Sequence, residues 1–516
     1  MIKRLLPALL ILLLVGGCKT GKVLPKWPQG VNYEIFVLAF ADNDGDGKGD
    51  LKGLTARLDY LDQLGVNGVW LMPISPSPSY HKYDVTDYTG IDSVYGTKDD
   101  FRNFVEQAHQ RNIHVVIDMV LNHTSKKHPW FLEASKGKSN PYRNYYVWGK
   151  RDSIKSQLDK KMLSYDSDNI RQWHAVDGDS LAEHYYGFFS SHMPDLNFDN
   201  PKVRQEFVEI ARFWLTEMKV DGFRLDAARH IYPDDRRRDS HAFWSWFREE
   251  LIKMKPDVYL VGEVTGAGQE VAPFLNGLPA LFNFDMGFAI ANTIQLGRDT
   301  SGLVKKYLEI TELYRSVRPD YFDATIINNH DQNRILTTLG DDEQKARMAA
   351  SLLFTLPGTP YVYYGEEIGM KGRKPDELIR EPFRWAPEGQ DPMQTRWEAA
   401  VYSTDEKVKP VALQEQDPNS MLHFYRKWIA FRNRTEAMTY GDIAMTPYNG
   451  SEIISFSRTY GDDKVLVFHN ISDVEVTVQL GDLDQLYHLD FYTKPGTELL
   501  DDEIVMPALS TAILKN

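Results

Sequence analysis

The chain of 516 residues carries 59 Lys and Arg against 73 Asp and Glu, a net charge of −14 with neutral histidines. That acidity excludes nucleic acid as the main partner, because phosphate binding needs clustered cations; the one dense basic run, Arg236, Arg237 and Arg238, reads as a solvated loop. With 42% hydrophobic residues, 12% aromatic residues and a single cysteine, the composition is that of a globular protein without a disulfide framework.

At the N-terminus, Lys3 and Arg4 precede an apolar stretch over 5–15, interrupted only by Pro7. It is too short for a permanent bilayer span, which needs about 20 apolar residues. Leu14-Val-Gly-Gly-Cys18 resembles a bacterial lipobox, and the cysteine it ends on is the only one in the chain. The expectation is a lipoprotein signal peptide over 1–18 and a diacylglycerol anchor on Cys18. The protein would then be exported and held at a bacterial membrane, periplasmic or on the outer surface, with a short tether over 19–30.

From there the spacing predicts a strand over 31–40, a helix over 51–64, a buried strand over 68–74, a helix over 99–112 and a second buried strand over 114–120. The rhythm breaks over 122–196, a stretch rich in Tyr, Ser, Lys and Asp. It resumes with a helix over 201–219, a strand over 222–227, a helix over 241–254 and a strand over 258–264. Further strands are expected at 281–286, 324–329 and 360–364, with helices near 303–317, 343–355 and 419–433. Eight strand positions separated by helices predict a closed parallel barrel. The fold class is therefore α/β: a (β/α)8 TIM barrel over 31–121 and 197–435, with an insertion over 122–196 after the third strand. Beyond 436 short alternating strands at 452–458, 464–470 and 474–479, with no visible helix, predict an antiparallel β-sandwich over 436–516.

Chemistry in such barrels sits at the C-terminal ends of the strands. Asp118, Asn122 and His123 follow the third strand, Arg224 and Asp226 the fourth, Glu263 the fifth, and Asn329, His330 and Asp331 the seventh. A lone polar residue there is usually a cap or turn former; four clusters of acids and imidazoles are not explained that way. Asp226, Glu263 and Asp331 would converge in one cleft, where like charge raises the pKa of at least one carboxyl. Arg224, two residues before Asp226 on the same strand face, is placed to hold that neighbour ionised. One ionised and one protonated carboxyl flanking a bond is what glycoside hydrolysis requires. Separately, Asp42-Asn-Asp44-Gly-Asp46-Gly-Lys48-Gly-Asp50 sets carboxylates on a tightly turning loop, the supply of hard oxygens that Ca2+ takes. Asp42, Asp44, Asp46 and Asp50, with the Lys48 carbonyl, are the expected ligands, although the terminal glutamate and flanking helix pair of an EF-hand are missing.

Four segments resemble the signature regions of glycoside hydrolase family 13, the α-amylase family, in the family's order. They are Asp118-Met-Val-Leu-Asn122-His123, Gly222-Phe-Arg224-Leu-Asp226-Ala-Ala-Arg229-His230, Val261-Gly-Glu263-Val and Asn328-Asn-His330-Asp331. Gly68-Val-Trp-Leu-Met-Pro-Ile and Gly358-Thr-Pro-Tyr-Val-Tyr-Tyr-Gly-Glu-Glu resemble its second-strand and eighth-strand motifs, so the resemblance covers 31–516. It implies a retaining glycosidase that cleaves α-1,4-glucosidic bonds of starch, maltodextrins or maltooligosaccharides by double displacement. By position it implies Asp226 as nucleophile, Glu263 as acid/base and Asp331 as the third carboxylate, which binds sugar hydroxyls. It also implies His123 and His330 as transition-state hydrogen-bond donors, Tyr83 and Asp84 as platform and carboxylate of the same subsite, Arg224 as the arginine beside the nucleophile and Arg380 as a substrate contact. The loop over 42–50 resembles the calcium loop of oligosaccharide-cleaving members. Asn122 and His230 match ligands of a second calcium in amylases, whose remaining ligands are not identifiable from the sequence.

Met193-Pro-Asp195-Leu-Asn197 resembles the group intermediate between oligo-1,6-glucosidases and neopullulanases, whereas Ala227-Ala-Arg229-His230 looks more like α-amylases, which usually carry Lys where Arg229 stands. Ala after the nucleophile leans toward α-1,4 bonds. An exo-acting α-glucosidase or oligo-1,6-glucosidase stays open as an alternative. So does a glucanotransferase or trehalose synthase, because only water access to the covalent intermediate separates transfer from hydrolysis. A non-catalytic glucan-binding protein is disfavoured by the complete set of three carboxylates.

Overall fold

Eight short parallel strands close on themselves: β1 (Asn32–Ile35), β2 (Gly68–Leu71), β3 (His114–Met119), β4 (Gly222–Leu225), β5 (Tyr259–Gly262), β6 (Ala280–Asn283), β7 (Phe322–Thr325) and β8 (Thr359–Tyr363). Closure is made by β1, whose Asn32 pairs with Gly68 on one side and Tyr361 on the other. The computed structural model describes residues 23–158, 172–176, 183–481 and 487–516. Cys18 and the expected signal peptide lie outside the described residues, as do 19–22 of the expected tether and 159–171 and 177–182 of the expected insertion.

Helices cover the outside of the barrel, so its strands are apolar on both faces and read as continuous runs. The lumen is filled by Trp70, Val116, Tyr259, Val261, Phe282 and Tyr361, in layers contributed by successive strands. Below them, at the N-terminal end, the Trp27 ring stacks on His114 with centroids 4.4 Å apart and meets Tyr259 edge-on at 5.2 Å. The segment carrying Trp27 is fixed there by Thr359 Oγ1, which donates to the Pro28 carbonyl, and Asn67 Nδ2, which donates to that of Pro25. Beside it β4 and β5 approach so closely that a Cβ on Gly222 would lie 2.0 Å from the Tyr259 carbonyl oxygen.

Several elements end earlier than periodicity predicts, for local reasons. The strand expected over 31–40 stops at Ile35, and the same apolar run continues as the helical turn Val37–Phe40, buried against Phe383 and Trp385. The helix expected over 51–64 breaks at Arg57 into Leu51–Ala56 and Leu58–Leu64. The strand expected over 281–286 ends at Asn283, whose side chain caps a helix the sequence reading missed, Phe284–Leu296, by accepting from Met286 N at 3.1 Å. The helix expected over 201–219 is regular over Pro201–Arg212 and finishes as a π turn, Phe213–Glu217.

The insertion contributes a small antiparallel sheet from Trp148–Gly149, His184–Tyr186 and Trp173–Ala175. At the C-terminal end, a five-stranded and a three-stranded antiparallel sheet enclose Ile453, Leu466, Phe468, Ile504, Met506 and Leu514. The short helix Glu436–Tyr440 corrects the expectation that this end holds no helix; it packs against the first long strand of the larger sheet. Two buried arginines meet at this junction, Arg432 from the last barrel helix and Arg458 from the larger sheet, which it ties to the barrel. Arg432 donates to the carbonyls of Phe354, Leu356 and Gly358, and Arg458 to those of Thr355 and Gly441. They stand at the C-terminus of the helix Glu343–Thr355, where cations complement the exposed carbonyls.

Candidate active site

Asp226, Glu263 and Asp331 line one cavity of about 740 Å³ at the C-terminal mouth of the barrel, with Tyr83, His123 and Arg380 on its walls. Arg224, His330 and Asp84 are buried behind that wall.

Arg224 projects from β4 into the barrel axis and is fully buried. Its Nη1 donates to Asp118 at 2.8 and 3.0 Å and to Asp226 Oδ1 at 2.8 Å, while its Nη2 donates to Glu263 Oε2 at 2.6 Å. The chain after β4 turns left-handed at Ala227, with φ 47°, which aims the Ala227 N–H at the same Glu263 oxygen, 3.1 Å away. Burial pushes the Asp226 carboxyl well above the usual carboxylate range; Arg224 opposes this, whereas Glu263 and Asp118 add to it. Burial likewise raises Asp118 to about 6 against the pull of Arg224. The sequence assigns Arg224 to one carboxylate, but the structure divides it among three. One guanidinium shared with Glu263 cannot hold both buried carboxylates, Asp118 and Asp226, ionised, so that pair retains a proton whose titration belongs to the two together.

Asp331 is the opposite case. Burial would raise it, yet His330 and Arg380 outweigh burial and hold it well below the ordinary range. His330 Nε2 lies 3.1 Å from Asp331 Oδ2, and Arg380 Nη2 donates to Asp331 Oδ1 and to Asp376 Oδ2, both at 3.0 Å. Arg380 Nε also binds the His330 carbonyl, which locks the segment after β7 to that after β8. Tyr83 stacks on His330 with centroids 5.6 Å apart. Its position depends on Lys82, a left-handed residue (φ 65°) whose buried ammonium is 2.7 Å from Asp92. Asp84 spends one oxygen on the hydroxyls of Ser77 and Ser79 and does not line the cavity. Burial lowers His123 to about 4, so its ring is neutral at pH 7, and its Nε2 has no partner among the described residues.

At the rim, Asp42, Asp44 and Asp50 bring one oxygen each within 4.8 Å of one another. The loop is pre-bent by its own amides: Gly45 and Gly47 donate to Asp42, and Asn43 and Gly53 to Asp50. Asp46 is outside this trio, turned toward the Lys48 amide at 2.8 Å. Of the second calcium pair, Asn122 keeps a buried Oδ1 without a partner among the described residues. His230 stacks on Phe188, whose N–H donates to Asp195 at 3.0 Å. Asp195, raised to about 7 by burial, also takes a hydrogen bond from Asn122. Sequence reasoning left Asp195 unassigned; a carboxylate inside the run Met193-Pro-Asp195-Leu-Asn197 was its only signal. It also passed over Glu34, a fully buried carboxylate in β1 that contacts His330 Nδ1. An acid in the middle of a strand otherwise buried on both faces is the mark that would have found it.

The family model described as the catalytic domain of alpha amylase matches residues 34–441, and that of the alpha-amylase SusG C-terminal domain matches 453–513. Alpha-amylase 3 of Dictyoglomus thermophilum is 40% identical over 492 residues, covering 95% of this chain and 94% of its own length. A 4-alpha-glucanotransferase of Thermotoga neapolitana is 34% identical over 87% of this chain and 97% of its own. Among solved structures, the alpha-amylase from H. orenii superposes with a TM-score of 0.87 at 42% identity, covering 94% of this chain and 99% of that one. With three carboxylates gathered in the mouth of an eight-stranded barrel that this catalytic model spans, the chain belongs to the α-amylase family of glycoside hydrolases.

Proposed function

We propose that the protein hydrolyses α-1,4-glucosidic bonds of starch-derived glucans and maltooligosaccharides with retention of configuration. The observation that carries this reading is the pair Asp226 and Glu263 held by the two terminal nitrogens of one guanidinium, which sets two carboxyls side by side in the cleft, the pairing that a retaining mechanism uses. Asp226 forms a bond to the anomeric carbon as the glycosidic C–O bond breaks, and the proton of Glu263 goes to the departing oxygen. Glu263 then takes a proton from water, the water oxygen bonds to the anomeric carbon, and Asp226 leaves as carboxylate. His330 and Asp331 bind hydroxyls of the reacting ring, Tyr83 offers it an aromatic face, and the neutral His123 supplies a further hydrogen bond. Arg380 and Asp84 order this wall.

Calcium fits the loop over 42–50, where Asp42, Asp44 and Asp50 offer the hard oxygens that Ca2+ takes; the ion would tie the segment after β1 into the rim. The unpartnered Asn122 Oδ1 and the buried Asp195 suit a second ion. Chelation with EGTA is expected to lower Tm by several degrees, and Asp44→Ala to shrink that response; an unchanged Tm would remove the metal from the account. The lipobox-like start supports an exported protein anchored through Cys18, tested by fatty-acid labelling that is lost in Cys18→Ser.

The functional test is a time course of products from starch, maltoheptaose, pullulan and isomaltotriose. Early mixed maltooligosaccharides from starch are expected. Glucose alone from short substrates would replace this reading with an exo-acting α-glucosidase. The 34% identical glucanotransferase keeps transfer as a second reading, and redistribution of chain lengths without new reducing ends would establish it.

A further inference from the structure

We propose that Glu34 is a positioning residue that keeps His330 a doubly protonated imidazolium, with its Nε2–H fixed as a donor toward the cleft. The inference rests on the reading above for what that donor serves, but its geometry stands alone. Glu34 points from β1 into the barrel at the level of Trp70, with which it pairs in register. It is fully buried, and one oxygen contacts His330 Nδ1 while the other has no partner among the described residues. A buried carboxylate with a single partner stays ionised only if that partner carries a compensating charge.

The far side of the ring fixes the second proton. His330 Nε2 is 2.7 Å from Tyr83 Oη. Tyr83 has one proton, and Asp118, an acceptor 3.1 Å away, takes it. Tyr83 therefore receives from Nε2–H. Asp331 at 3.1 Å accepts on the same side. Both ring nitrogens thus face acceptors only, and the chain Glu34–His330–Tyr83–Asp118 is satisfied when the ring holds two protons. The other charges around the ring are the Arg380 guanidinium, bound to the His330 carbonyl, and Arg224, which reaches Tyr83 Oη at 3.4 Å. The Trp70 edge covers the remaining face. Burial lowers His330, but Asp331 and Glu34 outweigh it and bring it to about 10.

Glu34→Gln keeps an acceptor for Nδ1–H and removes the charge, so His330 loses its proton at lower pH. The expected result is a kcat/KM close to wild type near pH 5 and lower by about tenfold at pH 8, a loss absent when Glu34→Gln is added to His330→Gln. A folded Glu34→Gln protein with the wild-type pH profile would overturn the proposal, as would an equal loss in the His330→Gln background. A second measurement depends on neither activity nor the stability of the variant. In wild-type protein with 15N-labelled histidine, the His330 ring, identified by its loss in His330→Gln, must give the imidazolium pattern at pH 8. A neutral ring there sinks the idea even if glucan cleavage holds, whereas an imidazolium in a protein that cleaves no glucan would sink only the functional reading.

Discussion

The barrel carries a buried charge cluster at each end, and the two are built in opposite proportion. At the mouth one cation, Arg224, serves three carboxylates, Asp118, Asp226 and Glu263. At the floor one carboxylate, Asp221, is served by His109 Nε2 and the Val115 N–H at 2.8 Å, His114 Nδ1 at 3.4 Å and Lys255 Nζ at 3.6 Å. Burial would raise Asp221, but its two histidines overcome that and hold it far below the ordinary range. The lesson is one of stoichiometry. A surplus of acids around one base leaves a proton unplaced, which is a reagent; a surplus of donors around one acid leaves nothing to react, which is a rivet.

The comparison breaks if removing a carboxylate at the mouth behaves like removing one at the floor. Asp226→Asn is expected to lower kcat by about four orders of magnitude or more, since it removes the nucleophile. Because it also relieves crowding among acids, its Tm should equal or exceed that of the wild type; full activity on every glucan the wild type cleaves would end the assignment. Asp221→Asn should do the reverse. It strips the charge from a buried acid whose side-chain donors are partly open to solvent and should cost about 1–3 kcal/mol in urea denaturation, with kcat/KM of the folded fraction intact. A catalytic defect there, without a stability defect, would mean that the floor communicates with the chemistry.

A smaller effect sharpens the contrast through pH. Burial lowers His123 and His128 to about 4 and His469 to about 3, so these rings are neutral when folded and take up protons more readily when unfolded. The unfolded chain then binds more protons below its ordinary histidine pKa, about 6.5, and stability falls as pH drops from there toward 4. Each such ring withholds up to about 2 kcal/mol by pH 5. His330 has the opposite sign: its folded value is raised, so its contribution is complete below the ordinary value and fades as pH rises through about 10. Thermal melts from pH 4 to 10 should show both slopes, and a flat acid limb would mean that the three neutral rings are accessible to water.

Much of this was legible in the chain. The barrel was, because eight apolar strands recur with a helical segment after seven of them, and only closure buries every face. The mouth was, because Asp226, Glu263 and Asp331 each fall just after such a strand. What escaped is whatever depends on neighbours distant in sequence. Glu34 and His330 are 296 residues apart, and no local pattern couples them. Arg224 was read as the partner of Asp226 because both share a strand face; that Asp118 and Glu263 divide the same guanidinium is a fact of strand order, since β3 and β5 flank β4. Element ends were missed where a side chain decides them, as with the Asn283 cap, because apolar periodicity runs on through the boundary.

Trp27 closes the barrel from below, stacked on His114 and set against Tyr259. The chain therefore enters the folded body at the pole opposite to the one where Asp226, Glu263 and Asp331 open to solvent. Chain entry and substrate entry are thus kept at separate poles of the barrel, and neither obstructs the other.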